Sequence, residues 1–287
     1  MARRPFDPAE LGLRKTEYRQ GDVLDRAAVD ALVAEADVIV HLAFIIMGGH
    51  EETRRVNLEG SGTVFAAAAA SPRAKRLVYT SSVAAYGFHQ DNPQPLTEDV
   101  PARGSDRHYY SAQKAELEAT LRWAVADSGL ATYVLRPCIV AGPDALAMLE
   151  AIPWPLRRSP LTVLPDPGTR FQLVHHDDVA SALVAAVRGV GAPGAYNLAG
   201  PGELSAADLA RELGWLRIPV PHVTSTLAAS ATALPLVPAR AEWLNAFSVP
   251  VLMSYARARK ELRWKPRHDA ESTLRATVEA ARERGLV

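Results

Sequence analysis

Asp37-Val38-Ile39-Val40-His41-Leu42-Ala43 is the stretch that decides the fold. Its β-branched run has no polar alternation, and such a strand is typical of a parallel sheet covered on both faces. The texture returns in Lys75-Arg76-Leu77-Val78-Tyr79-Thr80, which ends in Ser81-Ser82, and in Ala131 to Pro137, where the proline stops it. Before the first of these strands, Asp25 is a fair N-cap for a helix through Ala36 with Val29, Leu32 and Val33 as its apolar stripe. After it, the Gly-rich loop Met47-Gly48-Gly49-His50 leads into a helix around Asn57 to Ala70. Strands alternating with helices, on connections too long for hairpins, predict a parallel α/β sheet with right-handed crossovers.

Farther out, Arg14 to Gln20 reads as a strand leading into Gly21-Asp22-Val23. Beyond Gly142-Pro143, the close spacing of Pro153, Pro155, Pro160, Pro165 and Pro167 is poor material for a regular sheet and predicts a loop-rich cap. Phe171 to Val174 returns to strand character, a helix starts at His175-His176-Asp177-Asp178 and runs to about Arg188, and Ala195 to Leu198 is a short strand. Ser205 caps a helix through Leu213, and a final helix runs from about Ser272 to Arg284. The apolar, proline-punctuated region Pro219 to Pro250 matches no regular pattern. Neither an internal repeat nor a linker is visible, so the second lobe is expected to be a cap built on the first.

Composition narrows the function classes. Among 287 residues, 32 are Lys or Arg and 32 are Asp or Glu, which leaves no net field to steer the chain toward nucleic acid or an anionic membrane. The lone Cys138 excludes an intrachain disulfide framework and a multi-cysteine zinc site, and reads as a small buried residue. With no apolar run of roughly 20 residues and no signal-peptide core at the start, a cytoplasmic protein is expected.

Tyr110 and Lys114 are four residues apart at the start of a predicted helix, on the face continued by Leu117, Leu121 and Val125. A lysine beside a tyrosine favours the phenolate, drawing the phenol from its free pKa of about 10 toward a range where it exchanges protons. The alternative is a boundary aromatic and a lysine that snorkels to water. His175, His176 and Asp178 suggest a metal site, but without a fourth ligand in a recognisable spacing they read as a helix cap and packing. Ser81-Ser82-Val83 lacks the Gly-x-Ser-x-Gly elbow of a serine hydrolase, and Tyr109 reads as a packing ring.

In order along the chain stand Gly21-Asp22-Val23, His41-Leu42-Ala43, Asn57, Thr80-Ser81-Ser82 with Tyr86-Gly87, Tyr110-x-x-x-Lys114, Arg136-Pro137-x-x-Val140-x-Gly142-Pro143 and Val174-x-x-x-Asp178-Val179-Ala180. As a set, from about Arg3 to the C-terminus, this resembles the extended short-chain dehydrogenase/reductase superfamily, the branch of NAD(P)-dependent epimerases, dehydratases and reductases. The resemblance implies a Rossmann-like doubly wound parallel sheet over residues 1–143, with 171–200 returning to it. It also implies a smaller substrate-binding lobe from 144–170 and 201–287.

Its implied chemistry is hydride transfer on a small or sugar-like alcohol or carbonyl, with NADP or NAD as cofactor. Tyr110 would be the acid/base, and Lys114 would hold the nicotinamide ribose and favour the phenolate. Ser82 would bind the substrate oxygen, and Asn57 would support the site's backbone unless it is a plain helix residue. Asp22 and Val23 would contact adenine, while Ala43 and Thr80 would line the cofactor and Pro137 would open the segment beside the nicotinamide. Arg170 sits where sugar-nucleotide enzymes of the family place a substrate arginine, with a surface cation as the other reading. Family members often form a homodimer through helices that include the tyrosine helix.

One part of the family pattern is missing. Dinucleotide folds open on a strand, a Gly-x-x-Gly-x-x-Gly turn and a helix that binds the pyrophosphate, whereas Ala2-Arg3-Arg4-Pro5 resembles the segment just after the family's second strand. Two expectations follow: an N-terminally truncated enzyme whose start is wrongly placed or whose sequence is a fragment, or a non-catalytic family member, a binding or regulatory protein that has lost the Gly-rich turn. Either leaves an apolar sheet edge at Val38 to Leu42. Arg3 and Arg4 lie where a cation meets the adenosine 2′-phosphate, which tilts the expectation toward NADP.

Overall fold

The computed structural model describes residues 1–46, 49–106, 108–152, 157, 161–166, 169–221 and 249–287. Four strands form the central sheet: β1 (Val38–His41), β2 (Arg76–Thr80), β3 (Ala131–Pro137) and β4 (Gly194–Leu198). They lie in the order β1-β2-β3-β4 and every neighbouring pair is parallel, with Ile39 opposite Leu77, Val78 opposite Tyr133 and Arg136 opposite Asn197.

Side-chain alternation along β2 explains why both faces are covered. Leu77 and Tyr79 pack with Phe65 and Ala68 of α2 (Ser61–Ala70) and with Leu117 and Leu121 of α3 (Tyr109–Val125). Val78 faces the other way, into a cluster with Tyr133, Leu135, Tyr196 and Leu198 and with Val179, Ala182 and Ala186 of α4 (His176–Val187). Helices on two faces of a parallel sheet are the doubly wound arrangement. Each fully buried Leu or Phe in these layers contributes about 2 kcal/mol of apolar burial.

Beyond the sheet, Ile139–Ala141 pairs in parallel with Leu173–His175, and Arg170–Phe171 pairs antiparallel with Leu204–Ser205. A second apolar cluster joins Leu149, Phe171, Leu173 and Leu204 to Leu274 and Val278 of α5 (Ala270–Glu283). Asp178 ties the C-terminal segment to α4. Its buried carboxylate accepts from the backbone N–H of Arg267 at 2.9 Å and of His268 at 3.1 Å.

Several sequence expectations need correction. Arg14 to Gln20 is not a strand: among the described residues this polar segment makes only an isolated bridge between Ala2 and Gln20, and no central strand pairs with it. The first helix ends at Ala34 rather than Ala36. β1 is shorter than Asp37 to Ala43 and is not covered on both sides, because it is the last strand of the sheet. Val40 is 41% exposed and Leu42 57% exposed. The proline-rich segment is not wholly irregular, since Leu161–Asp166 forms a parallel ribbon with Leu216–Pro221. Pro165 and Pro219 fit because a two-stranded ribbon consists of edges, where a missing N–H is tolerated. Met47, Gly48, Pro153, Pro155, Pro160, Pro167 and positions 222–248 of the Pro219 to Pro250 region lie outside the described residues.

Candidate active site

Ser82 lies just past the C-terminal end of β2 and caps the turn Val83–Tyr86, its Oγ accepting from the Ala84 N–H at 3.2 Å. The preceding Ser81 N–H donates to Leu135 O of β3 at 2.7 Å, so the loop departs from a fixed point between two strands. His108 caps α3, its Nδ1 accepting from the Ser111 N–H. Ser111 Oγ in turn donates to Ala84 O at 2.6 Å, which fastens the first turn of α3 to the Ser82 turn. Tyr110 and Ser82 are thereby brought into side-chain hydrogen-bond contact.

Burial raises the pKa of the Tyr110 phenol, and the Ser82 hydrogen bond opposes that rise. The expected phenolate is therefore not the resting form. The physical reason is where Lys114 points: its Nζ donates to Thr80 O at 2.9 Å and sits 3.8 Å from the Phe44 ring centroid, with the Tyr110 ring centroid 5.9 Å away. Lys114 is only 4% exposed, and burial brings its pKa down to about 7 against the opposing pull of the Glu118 carboxylate. The snorkelling alternative for Lys114 is ruled out by this burial.

Asn57 stands on the π-helical segment Arg55–Gly60, which interrupts the helix running into α2. Its side chain makes three hydrogen bonds, from Ile45 N–H to Oδ1 at 2.7 Å and from Nδ2 to Ile45 O at 2.9 Å and Gln113 Oε1 at 2.8 Å. It is fully buried and joins the loop after β1 to α3. The plain-helix reading does not describe these contacts. π-Segments of this kind commonly accompany functional sites.

The other sequence candidates divide into two groups. Thr80 and Pro137 flank the cluster at the ends of β2 and β3, and the Thr80 hydroxyl is buried without a hydrogen-bond partner among the described residues. Ala43 is exposed in the loop that also carries Phe44 and Ile45. Asp22 closes a local turn by accepting from the Leu24 N–H, and Val23 packs so closely on Gly60 that a Cβ there would lie 2.5 Å from Val23 Cγ2. Arg170 is not part of the cluster: it is exposed on the strand paired with Leu204–Ser205.

Three residues emerge that the sequence motifs do not single out. Glu118 accepts from Arg136 Nε at 2.9 Å and Nη2 at 2.6 Å and from Ser81 Oγ at 2.6 Å, with both charged side chains buried. Arg136 Nη1 also donates to the Tyr86 hydroxyl at 2.8 Å, which donates to Asn197 Oδ1. Gln113 receives the Asn57 amide, and Phe44 covers Lys114 and meets Tyr110 edge-on. A signal for Glu118 was available, because it continues the Tyr110, Lys114 face by one more turn.

The imidazole cluster is a cap. His175 stacks between His176 and His268, and its Nδ1 accepts from the Asp177 N–H at 3.2 Å. His175, Asp177 and His268 offer ligand atoms within 4.8 Å of one another. However, the cap fills Nδ1, and in that neutral tautomer the proton sits on Nε2. Cys138 is buried, which pushes its thiol pKa up.

The NAD dependent epimerase/dehydratase family profile matches residues 1–199. The chain belongs to that family. Its uncharacterised relative y4nG from Sinorhizobium fredii is 26% identical over 284 residues, 92% of this chain and 68% of that protein. The chain spans half the length of an uncharacterised Mycobacterium tuberculosis relative that it matches at 27% identity over 65% of its own length. Among solved structures, the fold resembles UDP-glucose 4-epimerase of Thermotoga maritima with UDP-glucose (TM-score 0.71, 17% identity, 94% of this chain and 86% of that one). It also resembles RMD of Pseudomonas aeruginosa complexed with NADPH (TM-score 0.68, 19% identity, 93% and 88%). As an epimerase/dehydratase family member, the chain carries its serine, tyrosine and lysine on the C-terminal side of the sheet, where open α/β sheets bind ligands. Among its described residues, no helix is long and apolar enough to cross a membrane.

Proposed function

We propose that this protein is an NAD(P)-dependent oxidoreductase or epimerase-like enzyme acting on a small or sugar-like carbonyl or alcohol. The observation that carries this reading is the Tyr110–Ser82 hydrogen bond set beside the buried ammonium of Lys114. A nicotinamide ribose fits these groups, since the Thr80 hydroxyl lacks a partner among the described residues and Lys114 and Tyr110 add donors beside it. The diphosphate has no comparable cradle among the described residues. The short helix His50–Arg54 after β1 carries Glu51 and Glu52 in its first turn, a charge that repels phosphate.

A nicotinamide held beside Thr80, Tyr110 and Lys114 would supply or take the hydride at the carbon that bears the reacting oxygen. The chain handles the proton. With its pKa raised, the Tyr110 phenol donates a proton to a carbonyl oxygen in the reducing direction and recovers it in the oxidising direction, while Ser82 Oγ hydrogen-bonds that oxygen as its charge develops. Asn57, through Ile45 and Gln113, holds the loop of Phe44 and the helix of Tyr110 at fixed separation. Residues 144–170 and 201–287 supply the substrate side, with Arg170 as a surface cation for an anionic substrate. The exposed Arg3 and Arg4 favour NADP over NAD, and Trp123, 83% exposed on α3, suits a homodimer through that helix.

The test is turnover with NADPH or NADH against a panel of small and sugar-like carbonyls. Tyr110→Phe should lower turnover at least about 100-fold and leave dinucleotide binding intact. Equal turnover in the variant rejects Tyr110 as the acid/base. The second reading, a non-catalytic binding or regulatory protein, is favoured by the acidic first turn at Glu51 and Glu52. Binding of dinucleotide with turnover counts against it.

A further inference from the structure

We propose that Glu118, gripped by Arg136, is a positioning residue that keeps Lys114 charged and holds the Ser81–Ser82 turn against the tyrosine helix. This rests on the enzymatic reading of Tyr110 and Lys114. Tyr110, Lys114 and Glu118 follow one another at four-residue spacing, on a single face of α3. The carboxylate is 2% exposed, and its two oxygens receive three hydrogen bonds, two from the Arg136 fork and one from the Ser81 hydroxyl. One carboxylate thus joins α3, the end of β3 and the turn that presents Ser82.

A buried ion pair alone is weak evidence for anything but packing, since apolar residues of similar shape often serve as well. Here the surroundings of Lys114 supply the further argument. Its ammonium lies against the Phe44 and Tyr79 rings with Thr80 O as its close acceptor. Among the described residues, the titratable groups set around it are His41 at the end of β1, Tyr79 on β2, and Tyr110 and Glu118 on α3, and Glu118 itself carries two cations, Arg136 from β3 and Arg122 at 3.9 Å on α3. His41 is neutral near pH 7, because burial lowers its pKa to about 4, and Tyr79 is held protonated by burial. Arg136 is cationic, so Glu118 is the one anion in that set. It works against the desolvation that brings Lys114 down to about 7. Lys114 therefore titrates near neutrality, where a single negative charge decides the fraction that is ammonium.

The experiment reads the Lys114 charge directly, by following the lysine Cε–Nζ NMR signals of the labelled protein through a pH titration, with Lys114→Met to assign the resonance. Glu118→Gln should lower the proton affinity of Lys114 about tenfold or more, and Glu118→Asp should restore most of it. A folded Glu118→Gln protein with an unchanged Lys114 midpoint overturns the proposal. If that variant does not fold, Glu118→Gln is placed in an Arg136→Met background, and a Lys114 midpoint that is the same in the Arg136→Met protein and in the double variant overturns it equally. NADH and NADPH titrations of the same samples separate this result from the enzymatic reading. A wild type that binds neither dinucleotide rejects the function while leaving the Lys114 midpoint to decide the role of Glu118.

Discussion

The Asn57 amide donates to Gln113 Oε1 across 2.8 Å, joining the helix that follows β1 to the helix that carries Tyr110 and Lys114. The same side chain exchanges two hydrogen bonds with the backbone of Ile45. Asn57→Leu keeps the volume and strands both backbone groups of Ile45. Stability to urea should fall by about 2–4 kcal/mol, and Asn57→Asp should not restore it, because a carboxylate cannot donate to Ile45 O or Gln113 Oε1. A loss under about 0.5 kcal/mol would mean that the loop after β1 is held by other contacts.

Asp178 makes a parallel prediction in the C-terminal part of the fold. Its carboxylate accepts from the Arg267 and His268 N–H groups, and its carbonyl accepts from the Trp264 indole at 2.9 Å. Asp178→Ala removes the two carboxylate bonds and should lower stability by about 2–4 kcal/mol. Trp264 lies in the packed cluster beside α4, so its fluorescence should report the loosening.

Much of this arrangement was legible in the sequence. β2, β3 and β4 announce themselves because strands buried on both faces must be continuously apolar, and Pro137 marks the end of β3 to the residue. The caps at Asp25 and Ser205 are equally plain, since short acceptors before apolar-periodic runs have few other uses. Arg14 to Gln20 misled because local pattern cannot say whether a neighbouring strand exists to pair with. Glu118 was passed over because a Glu on a helix surface is commonplace, and only the fold brings Arg136 from β3 and Ser81 from the β2 loop against it. The direction of the Tyr110 shift was also missed, because spacing fixes which face Lys114 shares and not where its ammonium ends.

Acid sensitivity follows from two buried imidazoles. Burial lowers the pKa of His41 and of His108 from 6.5 to about 4. Between those values the unfolded chain binds protons that the folded chain refuses, so stability is full above pH 6.5 and declines as pH falls toward 4. Each group accounts for about 3 kcal/mol. Urea midpoints from pH 7 to pH 4 check the slope, and His41→Gln should flatten it. An unchanged slope in that variant would show that His41 is protonated within the fold.

The exposed edge of the sheet should govern self-association. Val40 and Leu42 are 41% and 57% exposed on or beside β1, a strand with one neighbour among the described residues. Val40→Lys places a charge where a second strand would pair, so light scattering at high concentration should drop while urea stability changes by less than about 1 kcal/mol. Unaltered scattering would locate the association elsewhere.

The most direct test of the central claim is a fluorescence titration of the chain with NADPH and with NADH, repeated with Lys114→Met. The buried ammonium beside Thr80 and Tyr110 should be what holds the nicotinamide ribose, so the wild type should bind in the micromolar range and the variant at least about tenfold more weakly. No binding by the wild type, or equal binding by Lys114→Met, would contradict it.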